Sequence, residues 1–154
     1  MIGKANVSVV ATETIKNFQQ KTLTKDIELV SYIDPGVMID CDQSQMRELF
    51  RIILDNAVKY TNKSGKIVVT LKQSERDVKI SVIDTGIGMP EEEIPYIFDR
   101  FYQISSGKRN QSGFGIGLSV AKVIVEEHHG KIEVNSQLGQ GSTFTIHLLR
   151  NYQA

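Results

Sequence analysis

Two eight-residue runs, KIVVTLKQ at 66–73 and DVKISVID at 77–84, carry apolar residues at every second position and are separated only by the polar tripeptide SER. Period-two alternation buries one face and wets the other, and so short a link joins the runs as an antiparallel hairpin. Such a hairpin needs a partner layer on its apolar face, and the chain supplies helical patterns for it. In 7–20, Val9, Val10, Ile15 and Phe18 fall at near-helical spacing. In 43–60, behind Asp42 as N-cap, Met46, Leu49, Phe50, Ile53, Leu54 and Ala57 recur every three or four residues. In 115–129, Leu118, Val120, Ala121, Ile124 and Val125 share faces, and Gly130 stands where a C-terminal glycine cap belongs. Further strands are expected at 26–33, at 37–40 after the DPG turn, and at 131–137 and 142–149 around the turn LGQG. A short helix starts at PEEEI, with Pro90 early in it. Strands that arrive in adjacent pairs between helices favour an α+β fold over a doubly wound parallel sheet: a two-layer α/β sandwich with one mixed sheet and helices on one face.

The 154 residues suit one domain, and 40% apolar with 23% charged residues is an ordinary globular balance. Eighteen basic residues match eighteen acidic ones, so no basic face points to nucleic acid or to an anionic membrane surface. The single cysteine, Cys41, has no internal disulfide partner, and no apolar run approaches the ~20 residues that span a bilayer.

Two glycine clusters are left over from this packing scheme. DTGIGMP, residues 84–90, follows the second strand of the hairpin. A carboxylate at that strand end can accept a hydrogen bond from an amino group, and Gly86 and Gly88 would leave room for a flat ring; taken alone, an aspartate capping its own turn is the better reading of the residue. GFGIG, with Gly113, Gly115 and Gly117, runs directly into a helix, whose free N–H groups can hold an anion. It has neither the Walker spacing nor a place in a βαβ unit, and a ligand-free hinge is as good a reading of the glycines alone. On the 43–60 helix, Glu48 and Asn56 lie eight residues apart, on one side. A carboxylate and an amide oxygen suit Mg²⁺. Lys59 could reach a phosphate and Tyr60 could pack on a base, although each has an ordinary structural explanation.

Taken in order, ELFRIILDNAVKYT, DTGIGMP, IFDRFYQ, GFGIGLSVAKVIVEEHHGKIEVNS and GQGSTFTIHL resemble the ATP-binding catalytic domain of sensor histidine kinases, in the GHKL superfamily. The likeness covers 42–149 at least. It implies the Bergerat ATP-binding fold, ATP and Mg²⁺ as cofactors, and protein histidine kinase activity. It also implies roles. Asn56 would ligate Mg²⁺, with Glu48 positioning a water beside the metal. Lys59 would contact phosphate and Tyr60 would lie beside the adenine, whose amine would bond Asp84. Gly86 and Gly88 form the first glycine box, Phe98, Arg100 and Phe101 the F box, and Gly113, Gly115 and Gly117, followed by Leu118, the second glycine box. Residues 102–112 would be the ATP lid, with Lys108 and Arg109 near the phosphates, and Thr143 would support the pocket floor. One position departs from the pattern: Ile52 stands where the family often has a second asparagine.

His128, His129 and His147 lie outside any phosphoacceptor context and read as helix-end and strand residues. The acceptor histidine is therefore expected on a separate dimerisation domain of the same protein, with residues 1–6 the end of that helical hairpin, 7–150 the catalytic domain and 151–154 a tail. A response regulator would be reached through that hairpin. The domain itself would be cytoplasmic, without direct membrane or nucleic-acid contact, in a parent that is membrane-anchored. A serine-kinase or chaperone branch of the superfamily, and a binding module without catalysis, are the competing readings.

Overall fold

The computed structural model describes residues 2–102 and 117–150. Residues 2–6, expected to end a helical hairpin, form a strand, β1 (Ile2–Asn6). Pairing with β3 holds it there: Ala5 is buried opposite Ile39, while exposed Lys4 pairs with Asp40 at 3.4 Å. Helix α1 (Val7–Thr24) follows, its N-cap Asn6 accepting the Val9 N–H at 3.0 Å. It runs four residues past the expected end. Strands β2 (Glu28–Ile33) and β3 (Met38–Asp42) come next. Helix α2 (Gln43–Tyr60) starts as expected, with the Asp42 carboxylate accepting the Gln45 N–H at 3.2 Å.

Strands β4 (Lys66–Gln73) and β5 (Asp77–Asp84) form the antiparallel hairpin that the alternation dictates. A 3-10 helix, Glu91–Tyr96, begins after Pro90, which is its N-cap. Helix α3 (Gly117–Glu127) and strands β6 (Lys131–Gln137) and β7 (Gly141–Leu149) complete the chain. The main sheet has the order β2-β4-β5-β7-β6, parallel only between β2 and β4, while β1 and β3 make a separate antiparallel ribbon. The helices cover one face. Ile67, Val69 and Leu71 of β4, Val78, Ile80 and Val82 of β5, and Phe144, Ile146 and Leu148 of β7 point into that layer and meet Leu49, Ile53 and Ala57 of α2. Among the described residues no helix is long and apolar enough to cross a membrane.

The end of α3 differs from its glycine-cap reading. The left-handed residue is His129 (φ 60), not Gly130. The His129 N–H bonds the Glu126 carbonyl at 3.0 Å and the Gly130 N–H bonds the Val125 carbonyl at 2.9 Å, the paired bonds of a Schellman motif. Gly130 is needed for another reason: a Cβ there would lie 2.4 Å from the His147 carbonyl oxygen. His128 is also more than a helix-end cation. It is 3% exposed, its Nδ1 lies 2.8 Å from the Ile124 carbonyl, and its Nε2 accepts the Asp42 N–H at 3.0 Å. A neutral imidazole with its proton on Nδ1 therefore ties the end of α3 to the start of α2. Replacing Gly130 by Ala should cost about 1–3 kcal/mol through backbone displacement, read as a lower denaturation midpoint with an unchanged slope in urea.

Candidate functional site

Asp84 closes β5 on the core-facing side of the sheet and is only 5% exposed. Its Oδ1 accepts two backbone N–H groups, Gly86 at 2.8 Å and Ser142 at 3.3 Å. Its Oδ2 accepts no hydrogen bond among the described residues. Burial pushes the carboxyl upward from its ordinary range, against the pull of the two amides. One oxygen is thus anchored, and the other is an open acceptor in a poorly solvated place.

The loop after Asp84 is fixed on two sides. The Ile87 N–H bonds the Tyr60 carbonyl at 3.1 Å, at the end of α2. On the other side, the Ile87 carbonyl accepts the Gly139 N–H at 2.7 Å, and the Met89 N–H bonds Ser136 Oγ at 2.8 Å. Gly86 and Gly88 serve this clamping. A Cβ at Gly86 would meet the Tyr60 carbonyl oxygen at 2.2 Å, and one at Gly88 (φ +69) would meet the Gln137 carbonyl oxygen at 2.1 Å. The glycines let three backbone segments touch.

Helix α2 brings its last turns to the same place. Asn56 is half-buried, and its amide has no hydrogen-bond partner among the described residues. Lys59 lies 4.0 Å from Asp55, and half-buried Tyr60 packs on the core. Ile52, one turn before Asn56, is buried; a methyl on Gly117 would lie 3.5 Å from its Cγ2, so α3 starts directly over this turn. Glu48 is not free. Arg51 grips both its oxygens, Nε to Oε1 at 2.9 Å and a terminal nitrogen to Oε2 at 2.7 Å, and this holds the carboxyl below its usual range. The pair is exposed and contributes about 0.5 kcal/mol at most, so it opens readily.

The remaining expected residues divide. Phe98 packs edge-on against Phe144, with ring centroids 6.4 Å apart, whereas Phe101 is exposed beneath the Arg100 guanidinium. Leu118 packs against the core. Thr143, the residue expected at the pocket floor, is half-buried. Strand alternation turns it to the sheet's other face, opposite Ile83, and puts Ser142 beside Asp84. Lys108, Arg109, Gly113 and Gly115 lie outside the described residues. Several contributors were missed. Ser142 was legible, because Phe144, Ile146 and Leu148 fix the buried phase of β7. Arg51 was legible as the i+3 neighbour of Glu48. Ser136, which also lies 2.8 Å from Ser142 Oγ, carries no sequence signal. Nor does Lys25, whose ammonium reaches the carbonyls of Val58 and Lys59 from α1's C-terminal cap.

A carboxyl that binds its proton more tightly in the fold than in the unfolded chain costs stability as pH rises through the window from its ordinary to its raised value. Asp84→Asn keeps the Oδ1 acceptor and removes the buried charge. The ligand-free variant should melt higher than wild type at pH 7–8, with the gap closing as pH falls to the carboxyl range; a lower melting temperature throughout would contradict the desolvation reading.

The sequence profile described as "Histidine kinase-, DNA gyrase B-, and HSP90-like ATPase" matches residues 41–151. The signal transduction histidine-protein kinase ArlS of Staphylococcus aureus is 42% identical over 157 residues, covering 94% of this chain and 35% of that protein. The circadian input-output histidine kinase CikA of Synechococcus elongatus is 34% identical over 145 residues, covering 92% of this chain and 19% of that one. The chain therefore spans about a third or less of these relatives' length. Among solved structures, the nucleotide-free catalytic domain of histidine kinase ThkA superposes with a TM-score of 0.87 at 23% identity, over 99% of each chain. The mycobacterial sensor histidine kinase MprB does so with a TM-score of 0.87 at 24% identity, over 98% of this chain and 100% of that one. The structural matches speak to the fold. With the profile spanning most of the chain and a 42% identical relative beside it, this chain belongs to the family of histidine kinase-, DNA gyrase B- and HSP90-like ATPases.

Proposed function

We propose that this chain is the ATP-binding catalytic part of a two-component sensor histidine kinase and passes the γ-phosphoryl group of ATP to a histidine on a separate dimerisation domain. The observation that carries the reading is the half-satisfied carboxylate of Asp84, one oxygen clipped by Gly86 and Ser142 and the other free to accept the exocyclic amine of adenine. A structure neighbour is ThkA in complex with its response regulator TrrA, and by analogy the phosphohistidine would be consumed by such a partner.

In this reading, the base lies by Asp84 and Tyr60, and the triphosphate extends toward Lys59 and the start of α3. The amide oxygen of Asn56, without a hydrogen-bond partner among the described residues, fits a cation that takes oxygen ligands and keeps most of its waters. Mg²⁺, when bound with ATP, would neutralise charge on the phosphate oxygens. Asn56 would hold it, and Glu48, released from Arg51, would orient one of its waters. The chain supplies position and charge rather than covalent chemistry. A neutral imidazole nitrogen attacks the γ-phosphorus, the N–P bond forms as the bond to the β,γ-bridging oxygen breaks, and ADP leaves with that electron pair. The proton lost from the imidazole goes to a base on the acceptor domain.

Mixing this protein with Mg·ATP and its histidine hairpin should label the hairpin with acid-labile phosphate. Serine phosphate would place it in another branch of the family, and nucleotide binding without transfer to any partner would make it a binding module. Asp84→Asn should weaken ATP binding by about a hundredfold or more, and unchanged affinity by calorimetry would refute the adenine assignment. Asn56→Ala should raise the Mg²⁺ concentration for half-maximal transfer by about tenfold while changing metal-free nucleotide affinity little.

A further inference from the structure

The C-terminus of α2 is closed at every carbonyl of its last turn, one by its own C-cap and three by tertiary contacts. The Ala57 carbonyl accepts Thr61 Oγ1 at 2.6 Å, and the Tyr60 carbonyl accepts the Ile87 N–H at 3.1 Å. The two between them, Val58 and Lys59, both accept the Lys25 ammonium, at 2.7 and 3.3 Å. Lys25 comes from the end of α1, 33 residues before Val58, and its nitrogen is half-buried. It has no carboxylate partner among the described residues; neighbouring Asp26 turns instead to Ser64. Burial lowers its pKa, as expected of an ammonium held only by carbonyl dipoles.

We propose that Lys25 is an electrostatic positioning residue of the nucleotide site: its ammonium, bound to the Val58 and Lys59 carbonyls, offsets the negative end of α2 beside Lys59, the residue read as contacting phosphate. This rests on the ATP reading above. A helix C-terminus carries roughly half an elementary negative charge, and it is the end least suited to a polyanion. Here that end carries Asn56, Lys59 and Tyr60 and is stitched through the Tyr60 carbonyl to the loop of Asp84. A cation on those carbonyls, with no carboxylate partner among the described residues, reverses the local sign without touching the ligand. Its effect should therefore grow with ligand charge, whereas a lysine that merely braced two helices would affect every ligand alike.

The test is calorimetric titration of wild type, Lys25→Arg and Lys25→Met with ATP, ADP and adenosine, at low and high salt. Lys25→Met should bind ATP about five- to tenfold more weakly at low salt, ADP less so and adenosine unchanged. The ATP loss should shrink at high salt, and Lys25→Arg should keep most of the affinity. Equal losses for all three ligands, or none for ATP, would overturn the proposal. A wild type that binds no ATP would overturn the nucleotide reading instead. If Lys25→Met does not fold by circular dichroism, the wild type decides by NMR: saturating ATP should raise the Lys25 pKa and adenosine should not, since linkage is reciprocal, and an equal response to both would overturn the proposal.

Discussion

The candidate site depends on a buried carboxylate that the protein satisfies on one side only. Two backbone N–H groups on Oδ1 fix the Asp84 side chain, and nothing described in the chain uses Oδ2. Desolvation makes this arrangement costly in the absence of ligand, and the same desolvation strengthens any hydrogen bond the free oxygen makes. The surrounding structure supports the cost. The Gly86 amide requires the turn after β5, and the Ser142 amide requires the Asp84–Ser142 register between β5 and β7. The loop itself is held between the α2 terminus and the β6–β7 turn.

Helix α2 is the second element on which the account turns. Its N-terminus is joined to α3 through His128, and its C-terminus to α1 through Lys25 and to the Asp84 loop through Ile87. Because α3 begins over Ile52 and ends beside Asp42, the two helices run antiparallel and are tied at that end through His128. The residues proposed for nucleotide chemistry thus sit on a frame fixed at both ends, which would suit the proposed transfer, a reaction governed by positioning rather than by covalent catalysis.

Local patterns carried much of this into view. The alternation in 66–84 specified the hairpin, the 3–4 spacing specified α2, and Asp42 behaved as the N-cap that its residue type suggested. Long-range geometry was hidden. Nothing local tells that β2 lies parallel to β4 while β3 joins β1, or that residues 2–6 are a strand of this domain. The glycines illustrate the limit well. Their presence around Asp84 was visible, but their purpose is contact with the Tyr60 and Gln137 carbonyls, which are remote in sequence. The phase of β7 was recoverable from its alternation, which sets Ser142 rather than Thr143 beside Asp84.

Calorimetric comparison of ATP with purine riboside triphosphate, which lacks the exocyclic amine, probes the open oxygen of Asp84 from the ligand side. Wild type should prefer ATP by at least about tenfold, the worth of a hydrogen bond to a charged group, and the Asp84→Asn variant should show little preference. Equal affinity of wild type for the two nucleotides would mean that the carboxylate does not read the base, and the assignment of the site would fail.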